Sequence, residues 1–133
     1  MRLTTASEYA LLALLYMARH YAKGYTSLSK IAKDQKLPFK YMERLMHTLC
    51  RAQIILSLKG QRGGYKLAHR PEKVSVAQII RLLDGQLASV SSVSVHFYKP
   101  TITEREKKLT KLLREIRNYV SSRLENTTLK DLI

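Results

Sequence analysis

The chain has 133 residues, of which 24 are Lys or Arg and 10 are Asp or Glu, for a formal net charge of +14. Hydrophobic residues make up 45% of it, enough to bury a core, which excludes a disordered chain. A foldable, strongly basic chain of this length points to one small domain with an arm and to a polyanionic partner, nucleic acid or an acidic membrane surface.

Further classes drop out on local pattern. The densest apolar run, residues 9–18, falls short of the roughly 20 residues that a bilayer span needs. No basic-apolar-small signal pattern opens the chain. Cys50 is the single cysteine, so neither an internal disulfide nor a CxxC metal site can form. A cytoplasmic address is expected. Residues 1–84 hold 15 basic and 5 acidic residues, and residues 85–133 hold 9 and 5. The polyanion-binding surface is therefore expected in the first two-thirds.

In chain order, Thr5 and Glu8 have capping-box spacing and open a first helix with a wide apolar face, ending at Gly24. Ser27 caps a short second helix over 28–35, with Leu28, Ile31 and Ala32 inward. Leu37-Pro38 punctuates the chain, and proline suits the first turn of a third helix over 38–51. Its inward stripe is Met42, Leu45, Met46 and Leu49. Two β-prone runs, 54–58 and 65–68, flank Lys59-Gly60-Gln61-Arg62-Gly63-Gly64 and predict a hairpin. Ser75 caps a fourth helix over 76–84, closed by Gly85. Residues 86–102 lack helical period and read as a linker or sensor segment. Thr103 and Glu106 form a second capping box, opening a helix over about 104–125. Its stripe of Leu109, Leu112, Leu113, Ile116 and Val120 needs a partner, and a second subunit supplies one.

These elements predict a mainly α fold with a small β-hairpin wing: a winged helix-turn-helix over 1–85, the linker over 86–102, and a dimerisation helix with its tail over 103–133. B-DNA's major groove admits an α-helix. Lys40, Arg44 and Arg51 share a face of the third helix, with Tyr41 and Glu43 beside them, and Lys59, Gln61 and Arg62 form the hairpin tip. Glu43 has two readings. A carboxylate on a reading helix accepts from cytosine N4, or it pairs with Lys40, Arg44 or His47. Catalysis is not expected, because no Ser-His-Asp order, carboxylate cluster or phosphate loop before a helix occurs.

Four segments carry a family resemblance: Met1-Arg2-Leu3-Thr4, Tyr41-Met42-Glu43-Arg44-Leu45, Lys59-Gly60-Gln61-Arg62-Gly63-Gly64-Tyr65 and Thr128-Leu129-Lys130-Asp131-Leu132. Together they resemble the Rrf2 family of bacterial winged-helix transcription regulators, of the IscR, NsrR and CymR type. The family's wing pattern, Arg-Gly-x-x-Gly-Gly-Tyr, is met except for Lys59 at its first position. The resemblance implies a homodimer, joined by the long helices, that reads a pseudo-palindromic DNA duplex as a repressor. It places Lys40, Tyr41, Glu43 and Arg44 on the reading helix and Lys59, Gln61 and Arg62 at the wing tip.

Many members of that family hold an iron–sulfur cluster on three cysteines after the fourth helix. Here that region carries Ser89, Ser91, Ser92 and Ser94 and no cysteine. Serine hydroxyls are poor ligands where thiolates are wanted, so no cofactor is expected. Candidate sensors are Cys50, read either as a buried structural thiol or as an oxidation site, and His96, read either as a loop residue or as a ligand. An effector protein or a small ligand near residues 93–98 is the alternative source of control.

Overall fold

The computed structural model describes residues 2–87, 93–94 and 98–133. Five α-helices and one two-stranded antiparallel hairpin follow in the expected order. No helix among the described residues is long and apolar enough to cross a membrane.

Helix α1 runs Thr5–Arg19 and packs against the other three helices of the first unit and the second strand of the hairpin. Its alternation of Ala10, Ala13, Leu14 and Met17 leaves all four side chains buried. The capping box expected at Thr5 and Glu8 is not formed. The cap is Thr4, whose Oγ1 accepts from the Ser7 amide at 3.3 Å, and Glu8 stays exposed. Asp84, at the end of the fourth helix, accepts from the Thr4 amide at 3.1 Å and from the Thr4 hydroxyl. The carboxylate of the box is thus supplied from 80 residues away, and the helix start shifts by one position. The α-helix also stops at Arg19, before a single 3-10 turn, Tyr21–Lys23, carries the chain to Gly24.

Helix α2, Leu28–Gln35, is capped by Ser27 as expected, with its Oγ accepting from the Lys30 amide at 3.2 Å. It is tied to α1 by Tyr16, whose hydroxyl donates to Asp34 at 2.7 Å, and by Gln35, which donates to the Leu12 carbonyl at 2.8 Å. Lys36 takes a left-handed conformation, and a three-residue turn leads into α3, Phe39–Arg51. Strands β1, Ile55–Leu58, and β2, Gly64–Leu67, pair in the register Ile55 with Leu67 and Leu58 with Gly64. Ser75 caps α4, Val76–Asp84.

Helix α5, Lys107–Glu125, starts later than the spacing suggested. Thr103 does not cap it: a 3-10 turn over Ile102–Arg105 intervenes, and Thr103 instead offers its carbonyl to the Thr110 hydroxyl at 2.8 Å. After α5 the chain returns to the first unit. The Val76 amide donates to the Thr127 carbonyl at 2.9 Å, and the Leu129 amide donates to the Val74 carbonyl at 3.0 Å. Leu129 is fully buried in the main core, a burial that contributes about 1.5–3 kcal/mol.

The Tyr16–Asp34 contact makes stability depend on pH. The Tyr16 hydroxyl, then Lys30 at 3.3 Å, holds the Asp34 carboxyl below its usual range, while burial first and Asp34 second push Tyr16 up to about 12. A carboxyl depressed by folding stabilises the protein above its ordinary pKa of about 4, and that contribution is lost as the pH falls through the depressed value. Urea unfolding of Tyr16→Phe should therefore show the variant less stable than the wild type at pH 7. The gap should narrow as the pH is lowered to about 3.

Candidate DNA interface

The orientation of α3 follows from its sequence. Met42, Leu45, Met46 and Leu49 recur at helical spacing and are all buried, so the opposite face is left to Lys40, Glu43, Arg44, His47 and Arg51, each of them exposed. Lys40, Arg44, His47 and Arg51 fall at i, i+4, i+7 and i+11 and form one basic row. Tyr41 stands at its edge, held edge-to-face by Tyr9 of α1 with ring centroids 5.5 Å apart. Among the described residues Glu43 makes no ion pair, so the pairing with Lys40, Arg44 or His47 is not formed. Its carboxylate is left facing outward with the cations.

The wing stands beside this face. Ile54 donates to the Leu49 carbonyl at 3.0 Å, which joins the end of α3 to the hairpin. On the other side, Thr26 and Tyr65 exchange two backbone hydrogen bonds of 2.9 and 2.8 Å, adding a single residue as a third strand. Gly64 makes this approach possible. Its φ is +144°, and a Cβ there would collide with the Thr26 carbonyl. Gly63 is pressed in the same way against the Leu58 carbonyl. These two glycines serve close packing inside the protein.

At the tip, Lys59, Gln61 and Arg62 are exposed. Arg62 also borders a cleft of about 560 Å³ that it shares with Lys23, Tyr25, Ser27 and Lys30. Sequence reasoning missed Lys23, Tyr25 and Lys30, because nothing local distinguishes a lysine beside the wing from one on any solvated helix. Lys66 lies over the Tyr25 ring at 4.8 Å, which keeps a further positive charge at the base of the hairpin. The structure thus brings the α3 row and the wing tip together on the first unit. Of the five apolar α5 residues, Leu109, Leu112 and Ile116 are exposed on a separate face, and Leu113 and Val120 are half-buried at its edge.

Cys50 is half-buried at the end of α3. Burial pushes its thiol up, opposed by a hydrogen bond with Ser57. A raised thiol holds little thiolate at neutral pH, and the thiolate is the form that reacts. His96 lies outside the described residues, as do Ser89, Ser91 and Ser92.

Comparison with known proteins gives a consistent result. The family model described as "Rrf2: Iron-dependent Transcriptional regulator" matches residues 3–133. The chain is 31% identical over 132 residues to the HTH-type transcriptional regulator CymR of Bacillus subtilis, covering 99% of this chain and 89% of the relative. It is 31% identical over 134 residues to the regulator IscR of Aliivibrio salmonicida, covering 100% and 77%. The solved structure of CymR, titled the global cysteine regulator of B. subtilis, superposes with a TM-score of 0.86 at 30% identity, covering 99% and 95%.

The family description names iron, and the donor set here does not fit an iron–sulfur cluster. A cluster takes thiolates, and the sequence offers one cysteine. Among the described residues no three His, Cys, Asp or Glu side chains converge on a common point.

The position of Arg62 sets a test. Titration of a cognate duplex by fluorescence anisotropy should show Arg62→Ala binding about tenfold more weakly, with its salt dependence reduced by the equivalent of about one phosphate contact. Lys130→Ala, in a different cleft that it shares with Arg19 and Arg70, should stay within about twofold of the wild type.

Proposed function

The chain belongs to the Rrf2 family of DNA-binding transcription regulators, and from that premise we propose that it acts as a homodimeric repressor of a pseudo-palindromic operator. It is a regulator and not an enzyme. The observation that carries the dimer is the outer face of α5. Leu109, Leu112, Ile116 and Tyr119 are 41%, 51%, 46% and 71% exposed, although they follow one another at helical spacing. Leu113 and Val120 sit at the edge of this stripe and are half-buried. A continuous apolar face of this kind marks an interaction surface. A second copy laid against it buries the same stripe twice in an isologous contact.

In such a dimer each subunit presents one α3 row and one wing. The cations of Lys40, Arg44 and Arg51 dock on phosphates and release counterions, a sequence-independent attraction. Specificity comes from base edges in the major groove, where the unpaired Glu43 accepts from a cytosine amino group and repels bases that offer only acceptors there. Lys59, Gln61 and Arg62 hold the neighbouring backbone or minor groove. Repression then follows from occupancy, since a dimer seated across a promoter excludes the polymerase from the same duplex.

The iron-free donor set supports a protein that reads DNA without a cluster. Two results are expected. Leu112→Glu with Ile116→Glu should convert a sedimenting dimer to a folded monomer and weaken operator binding by at least about tenfold, because both charges enter an apolar seam. Treatment of the wild type with a strong iron chelator should leave operator affinity within about twofold, and the purified protein should show no visible charge-transfer absorption.

A further inference from the structure

The segment that follows α5 has a role that neither the reading helix nor the wing accounts for. We propose that residues 127–132 form a positioning strap, anchored by Leu129, that fixes the angle of α5 against the reading unit and so sets the half-site spacing the dimer accepts. This inference rests on the dimeric reading above.

The geometry of α5 poses the problem. Its 19 residues span about 28 Å. A swing of about 10° moves the far end by roughly 5 Å, more than the roughly 3.4 Å axial step of one base pair. A dimer that reads two half-sites at fixed spacing therefore needs α5 held to within a few degrees. At its start, the helix follows a 3-10 turn, and its first cap is Glu106 with no side-chain hydrogen bond. Along its length, Leu109, Leu112, Ile116 and Tyr119 stay exposed rather than seated in either core.

At its other end three independent contacts converge. Glu125 pairs with Arg81 of α4. Leu124 packs on the small core of Val76, Ala77, Ile80 and Leu87. The strap then forms an antiparallel bridge, Ser75 to Thr128, with backbone hydrogen bonds of 2.9 and 3.0 Å on either side of it. Leu129 is buried in the main core, which also holds Leu14, Ile31, Met42 and Leu49. Asp131 closes the strap by accepting from the Thr128 amide at 2.9 Å. The residues that fix α5 thus share a core with those that orient α3, so the two elements turn as one body. Leu129 is a positioning residue: it touches no DNA and acts through α4 and α5.

The test separates positioning from simple stability. The half-site is first defined by selecting duplexes from a random-sequence library with the wild-type protein. Anisotropy titrations then use duplexes carrying two half-sites at the selected spacing, at spacings one or two base pairs shorter and longer, and one half-site alone. Wild type should prefer its selected spacing by at least about tenfold. Leu129→Ala should reduce that preference to about threefold or less while single half-site affinity stays within about twofold. Glu125→Gln, which leaves the core intact, should shift the preference in the same direction by a smaller factor, and it decides the matter if Leu129→Ala does not fold. Variants that remain dimeric in sedimentation and keep the full spacing preference overturn the strap assignment alone. A wild type that sediments as a monomer, or binds one half-site as tightly as two, overturns the dimeric reading and the inference with it.

Discussion

Met42, Leu45, Met46 and Leu49 carry almost no exposed surface, and their burial sets the rotation of α3 about its own axis. One residue of slip would turn the helix by about 100° and carry Glu43 or Arg44 toward the core, where an unpaired charge costs several kcal/mol. The basic row is therefore held outward by the apolar stripe beneath it. The same core places the wing, because Ile54 and Ile55 leave α3 directly into it and Leu67 returns into it. Position and charge of the DNA-facing surface thus have a common cause in hydrophobic packing.

Electrostatics acts on that scaffold and contributes little to holding it. Of the two salt bridges among the described residues, Lys30 to Asp34 is solvent-exposed, and such a pair is worth at most about 1 kcal/mol, while Arg81 to Glu125 is partly buried. Most of the basic side chains are left without an acidic partner by composition alone. Their mutual repulsion is relieved when a polyanion neutralises them, which favours the bound state and makes it sensitive to salt. Glu43 is the exception in sign on the reading face. In the proposed reading of DNA, a carboxylate without an ion pair gains only where a base offers a donor, so it discriminates more than it attracts.

The sequence made legible what is local. The caps at Ser27 and Ser75, the stripes of α2, α3 and α5, and the glycine-rich hairpin depend on residues within a few positions of one another, and each was found where spacing placed it. Contacts between distant segments were not legible. The start of α1 depends on Asp84, so the Thr5 and Glu8 spacing pointed to the wrong cap. The third strand of the wing is the single residue Thr26, too short to leave a pattern. The strap after α5 has no period of its own, and its partner, Val74 to Val76, lies some fifty positions earlier. Of the candidate interface, the α3 row and the wing tip followed from local spacing, whereas only the fold brings Lys23 and Lys30 beside Arg62.

Helix α5 carries two apolar faces at different angles, and the difference has a mechanical meaning. Leu124 packs on the small core beside α4, Leu113 and Val120 are half-buried between, and Leu109, Leu112, Ile116 and Tyr119 are exposed. A helix with only the first face would be one more element of the small domain. With only the second, it would join two subunits and leave the reading units free to pivot about it. In the proposed dimer, both faces on one helix make the orientation of each α3 row a function of how two copies of α5 cross. Any signal that alters that crossing, or loosens the strap at its end, changes the separation of the two rows without touching a residue that meets DNA. In that dimer, control does not require a ligand at the reading face, because a change of a few degrees in α5 is enough to move the two rows.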